Sequence, residues 1–196
     1  MEIDVARSTK KLKEVETALA GHDWGSDYSL FTGKCGYLVF LNEQMRFKNN
    51  GEEEDTMSRL CESVFEDVQQ NPLSASFCQG IGGLVYTLNY LELEDPVEQD
   101  VLDSVALSAL EIAEKDNFDF LHGSTGMVYA LSKNNYSDFT FFSRWMKLVE
   151  KKLITTENGM HLPMRYPGHP YSQNDYQFNY SLSHGMVAVL LVIIEL

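Results

Sequence analysis

Positive charge is scarce in this sequence: 15 Lys and Arg stand against 29 Asp and Glu, a net charge of −14 over 196 residues. Nucleic acid and anionic membranes are held by clustered cations, so neither is an expected partner. Long apolar runs are missing as well. The longest is the octet from Val187 to Ile194, far short of the roughly 20 residues that a membrane span needs. The opening stretch, MEIDVARSTKKLKEV, contains no apolar segment of signal-peptide length. A cytoplasmic protein without a membrane span is expected. Cysteine is sparse too. Cys35, Cys61 and Cys78 are odd in number and spaced unlike a disulfide framework or a zinc module, which points to buried, reduced thiols.

What is present is a repeat. The segments SLFTGKCGYLVFL (29–41), SFCQGIGGLVYTL (76–88), DFLHGSTGMVYAL (119–131) and SLSHGMVAVLLVI (181–193) share one pattern: Gly, two residues, Gly or Ala, then an apolar run. Their leading glycines are Gly33, Gly80, Gly123 and Gly185, at intervals of 47, 43 and 62 residues. Such spacing marks a repeat architecture. Between the copies lie charged segments with apolar residues at helical spacing. Residues 52–70 carry Met57, Leu60, Cys61, Val64, Phe65 and Val68 on one stripe, with three glutamates leading the helix. Residues 4–20, 98–114 and 139–153 repeat the idea. Each repeat therefore reads as an amphipathic outer helix, a loop, and a Gly-led inner helix apolar on nearly every face.

Glycine at the first turn of a helix costs about 1 kcal/mol of propensity, so the missing side chains answer a steric need. Close approach of the inner helix ends around a central axis supplies one. The predicted fold class is all-α, with four hairpins curving as an α/α toroid or an open solenoid.

The four G-x-x-G segments, FDFLHGSTG, and above all NYSLSHGMVAVL resemble the lanthionine synthetase C-like proteins across essentially the whole chain. The resemblance implies a toroid of seven hairpins and a zinc ion at the end of the central cavity. It also implies an activity in which a peptide cysteine thiolate attacks a dehydrated Ser or Thr. The sequence departs from that pattern. The adjacent Cys-His zinc pair of the family is absent, the last cysteine is Cys78, and four repeats stand where the toroid has seven. Residues 1–196 are accordingly expected to be an N-terminal part of a longer cyclase-like protein. On that expectation the chain is inactive alone, has no metal ligands or cofactor of its own, and carries zinc only in the full-length family protein.

Two residues fall on the family's active-site motif. Four positions before each leading glycine stand Ser29, Ser76, Asp119 and Ser181; immediately before it stand Thr32, Gln79, His122 and His184. Asp119 and His184 lie where the family places an acid and a histidine that handle protons. The chemistry suits them: adding a thiolate to an unsaturated amide leaves an enolate to be protonated, and imidazole titrates near neutrality. Asp is also a preferred N-cap, so capping of the third inner helix is the structural alternative for Asp119, and a plain helix-end role that for His184. His122 is expected to be structural, and His161 and His169 solvated. The polar stretch NGMHLPMRYPGHPYSQNDYQF (158–178), with Arg165 its cation, is expected to frame the cavity and meet a peptide substrate. Self-association is expected through Val187, Leu190, Leu191 and Ile194. Two other functions fit the repeat pattern: a non-catalytic peptide-binding module, and a carbohydrate-active α/α barrel, which needs a second carboxyl group converging on Asp119.

Overall fold

The computed structural model describes residues 5–48, 54–71, 74–93, 97–163 and 179–196. Outer helices α1 (Val5–Ala20), α3 (Glu54–Gln70), α5 (Gln99–Glu114) and α7 (Phe139–Lys152) alternate with inner helices α2 (Lys34–Lys48), α4 (Ile81–Tyr90), α6 (Ser124–Lys133) and α8 (Met186–Glu195). The inner helices pack in chain order, α2 on α4, α4 on α6 and α6 on α8, while α3 backs α2 and α5 backs α6. The result is a partial α/α toroid.

The stripes of α3, α5 and α7 face inward as their periodicity requires, whereas in α1, read as a fourth such helix, Leu12 and Val15 are 40% and 46% exposed. In α5, Leu102, Val105, Ala106, Ala109, Leu110 and Ala113 are buried. They join Met127, Val128 and Leu131 of α6 and Trp145 of α7 in the larger core cluster. In α3 the buried residue is Val64, whereas Phe65, read on the same stripe, is 44% exposed. The helix starts at Glu54, with Glu54 and Asp55 as its first-turn acids, and Glu52 and Glu53 lie outside the described residues. Of the inner helices, α4 and α8 are apolar around most of their surface. The last two turns of α2 depart from that reading, because they carry Asn42, Glu43, Gln44, Arg46 and Lys48.

Among the described residues one element is not helical. Strands β1 (Ile154–Thr156) and β2 (Gly159–His161) pair antiparallel, Thr155 opposite Met160, in a segment read as part of a long loop. His161 is there buried rather than solvated, at 8% exposure, between the Thr156 hydroxyl at 2.9 Å and the Tyr180 hydroxyl at 2.6 Å. The readings of Arg165, His169 and the rest of 164–178 lie outside the described residues. On α8, Val187, Leu190, Leu191 and Ile194 are 39%, 48%, 46% and 79% exposed.

Candidate functional site

The loops that lead into the inner helices are built alike, and the construction begins six residues before each leading glycine. The carbonyls of Asp27, Ser74, Asn117 and Asn179 accept the first N–H of the following helix, from Lys34, Ile81, Ser124 and Met186, at 2.8, 2.9, 3.0 and 2.8 Å. A helix N-terminus has N–H groups without intrahelical partners, and here the loop backbone takes one of them. Gly80, Gly123 and Gly185 hold extended N-cap backbone with no side-chain cap.

Each loop is then closed by the side chain four positions before the glycine. Ser29 Oγ accepts the Thr32 N–H at 3.3 Å, Ser76 Oγ that of Gln79 at 3.1 Å, and Ser181 Oγ that of His184 at 3.1 Å. Asp119 Oδ1 does the same for the His122 N–H at 2.8 Å. Asp119 is thus a cap, but of its loop turn rather than of helix α6.

The tightness of this loop explains the second small residue. A Cβ on Gly36 would collide with the Leu30 carbonyl, and one on Gly126 with the Phe120 carbonyl of its own loop and the Phe77 side chain of the preceding repeat. Close approach around the central axis is therefore half of the explanation. The other half is each helix's contact with its own loop.

Backbone hydrogen bonds stitch successive loops together. The N–H groups of Leu30 and Phe31 donate to the Cys78 carbonyl, those of Phe77 and Cys78 to the Leu121 carbonyl, and that of Leu121 to the Ser183 carbonyl. The inner helix starts therefore line up along one rim, and the loop bearing His184 lies beside the loop bearing Asp119.

There the structure brings the two residues together. Asp119 is 2% exposed, and its second oxygen, Oδ2, lies 2.7 Å from His184 Nδ1. An ionised carboxylate only accepts, so the His184 Nδ1–H donates to it, and Nε2 becomes the nitrogen at which the ring exchanges a proton. The His184 side chain is 34% exposed and open to solvent on part of its surface.

The site holds two groups that the sequence did not single out. The His122 ring lies nearly parallel to that of His184, with centroids 5.8 Å apart and planes 14° apart. Cys78 Sγ sits 3.1 Å from His122 Nδ1 and 3.9 Å from Nε2. Burial pushes the Cys78 thiol above its ordinary pKa, against the opposing hydrogen bond of Ser76, so sulfur contacts this ring as a thiol. The recurrence of a polar residue just before each leading glycine was the available signal. His122, read as structural, is exposed and shares the rim with His184.

A zinc-type site wants at least three converging ligands. Among the described residues no group of three or more His, Cys, Asp or Glu side chains is placed to hold a metal ion, and both Asp119 oxygens are already engaged. The described residues alone do not make up the three-ligand set that the family's metal needs.

Four Gly-led hairpins stitched along one rim, with an acid–imidazole pair across two of the loops, define a helical-toroid protein with a buried carboxylate at its rim. Residues 26–196 match the lanthionine synthetase C-like protein family, and the chain belongs to it. Among solved structures it is similar to a nisin cyclase, with a TM-score of 0.62 and 16% identity over 98% of this chain and 52% of that one. The chain spans about half the length of that protein, and a likeness at this identity speaks to the fold. No curated protein sequence matches the chain. Among the described residues no helix is long and apolar enough to cross a membrane.

Proposed function

We propose that this chain supplies the proton-handling part of a thiol-addition site acting on dehydrated Ser or Thr in a peptide. The observation that carries the reading is the 2.7 Å contact between Asp119 Oδ2 and His184 Nδ1. Attack of a thiolate on the β-carbon of a dehydroamino acid forms the C–S bond and drives the π electrons onto the carbonyl as an enolate. The protonated His184 gives its Nε2 proton to the α-carbon. Asp119 holds the ring in the orientation that presents Nε2 and balances the imidazolium charge, the usual work of a carboxylate behind a catalytic histidine. The attacking thiol enters this step as its thiolate.

The carbohydrate reading loses ground. Among the described residues the groups that meet the Asp119 carboxylate are the His122 N–H and the His184 imidazole, where that reading needs a second carboxyl group.

The test supplies a low-pKa small thiol and a dehydroalanine-containing peptide and follows thioether formation. The inactivity expected of the chain alone concerns thiol activation, which a low-pKa thiol does not need, so the chain should accelerate addition of this thiol and His184→Ala should remove the acceleration; general acid catalysis contributes about 100-fold or more. An acceleration that survives His184→Ala, in protein whose circular dichroism is unchanged, sinks the proposal.

A further inference from the structure

We propose that His122 is the general base that takes the proton of the attacking thiol, working beside His184 as the general acid. The inference rests on the proposed addition for its chemistry and assigns the proton that must leave before sulfur can attack.

His122 is held in place by packing, and its nitrogens stay open to a reactant. The His184 ring lies alongside it, centroids 5.8 Å apart and planes 14° apart. The Cys78 sulfur stands 3.1 Å from Nδ1 and 3.9 Å from Nε2. A sulfur on the lone-pair axis of one nitrogen would stand much farther from the other, so Cys78 lies beside the ring and claims neither nitrogen outright. Cys78 is 4% exposed, whereas His122 is exposed. One side of the ring therefore rests on a buried thiol while the rest meets solvent.

The two imidazoles differ in one respect, the carboxylate. Asp119 Oδ1 is taken by the His122 backbone N–H and Oδ2 by His184 Nδ1, so among the described residues His184 is the ring that Asp119 meets. A ring backed by a carboxylate suits a proton donor working as imidazolium; a ring facing a neutral thiol suits an acceptor working as neutral imidazole. The spacing serves one reactant. Sulfur and the α-carbon are both bonded to the β-carbon in the adduct, and each ring reaches about 3 Å to the atom with which it exchanges a proton. Rings 5.8 Å apart span that pair of atoms.

The S–H bond breaks as its proton passes to His122, and the sulfur electron pair forms the C–S bond at the β-carbon. The π electrons move onto the carbonyl, and the His184 proton is delivered to the α-carbon. His122 ends protonated and His184 neutral, and solvent, which both rings meet, returns the proton from one to the other. The gain is bounded. An ordinary thiol with a pKa of about 8.5 is roughly 3% ionised at pH 7, so its complete activation is worth roughly 30-fold.

The acidity of the thiol supplies the test. Rates of thioether formation on a dehydroalanine peptide at pH 7 are compared for a thiol of pKa about 8.5 and for one of pKa below about 6, already ionised. His122→Gln and His122→Phe both lack the base, and the second keeps a ring beside His184. Each replaces an exposed side chain and retains the backbone N–H that Asp119 caps. Both variants should lose roughly tenfold or more on the ordinary thiol and less than about twofold on the ionised one, whereas His184→Ala should slow both thiols alike.

Equal slowing of both thiols by the two His122 variants makes this ring a packing support for His184 and overturns the inference. So does an ordinary-thiol rate that neither variant changes. Acceleration of the ordinary thiol that needs His122 and survives His184→Ala removes the acid and leaves the base standing; acceleration of both thiols that needs His184 and not His122 does the reverse. A parent chain that accelerates neither thiol removes both.

Discussion

Asp119 holds two jobs on two oxygens, and substitutions can remove them one at a time. Oδ1 caps the His122 N–H at 2.8 Å and Oδ2 holds His184 at 2.7 Å. Serine fills the capping position in the other three loops, so Asp119→Ser keeps the cap and deletes the His184 contact. Asp119→Ala deletes both. Loss of such a cap costs about 1 kcal/mol, which is the expected stability gap between the two variants. The contact itself contributes no more than the low end of a charge-assisted bond, about 1.5 kcal/mol, since water competes at a His184 side chain that is 34% exposed. Removing a carboxylate that is only 2% exposed also relieves a desolvation cost, so Asp119→Ser should lie close to the parent.

Urea unfolding measures the series at constant m-value. In a chain this long, 1 kcal/mol moves the melting temperature by about 2–4 °C. Asp119→Asn adds a reading that stability does not give: its amide N–H would face His184 Nδ1, so the ring should move its proton to Nε2, visible in imidazole ¹⁵N shifts. Equal destabilisation by Asp119→Ser and Asp119→Ala would refute the division of labour, as would an unchanged His184 tautomer in Asp119→Asn.

Gly126→Ala places a methyl group against the Phe120 carbonyl and the Phe77 ring and should cost roughly 2–4 kcal/mol in chemical denaturation, whereas Gly25→Ala meets no atom within 4 Å and suffers only from its positive φ of 51°. Burial pushes Cys35 up to about 12. With the folded value above the unfolded one, its contribution is complete below the ordinary thiol range and drains away as pH rises towards 12. Cys35→Ala should therefore flatten the alkaline arm of the stability–pH curve by a few kcal/mol, on the order of the shift itself. Self-association through Val187, Leu190, Leu191 and Ile194, expected from their exposure, should appear in sedimentation as concentration dependence and disappear in Ile194→Lys.

The hairpin order was legible because α5 and the other outer helices show a 3.6-residue stripe, and each inner helix announces itself with Gly-x-x-Gly or Gly-x-x-Ala. Asp119 stood out as the one acid among serines. What could not be read was the arrangement between loops. The stitch from Leu121 to Ser183 decides that His184 meets Asp119, and no local pattern encodes it. The same holds for Cys78 and His122, 44 residues apart and in contact. Hairpin β1–β2 was hidden because its strands span three residues each, too short for alternation to show. His161 was misjudged because its burial depends on Tyr180, 19 residues away.

The repeat also says how such a site is made, and that account can be tested by building a second one. Between the third and fourth loops, the residue that closes one turn faces the residue before the glycine of the next: Asp119 faces His184. The second and third loops are stitched by the same type of backbone bond, Phe77 and Cys78 to Leu121, so Ser76 stands to His122 as Asp119 stands to His184. Ser76 has one oxygen, which the Gln79 N–H occupies at 3.1 Å. His122, with no carboxylate to meet, lies against Cys78 instead. Ser76→Asp should supply the missing oxygen, Oδ1 keeping the Gln79 cap and Oδ2 taking His122 Nδ1 from the thiol. Position 76 is only 7% exposed, so the introduced charge is stabilised by that imidazole or not at all. Imidazole ¹⁵N shifts should show the His122 environment changing relative to the parent, with its Nδ1 proton held, and stability changed by less than about 1 kcal/mol. An unmoved His122 in a folded Ser76→Asp chain would mean that the loops are related in sequence but not in geometry, and that the Asp119–His184 contact owes nothing to the repeat.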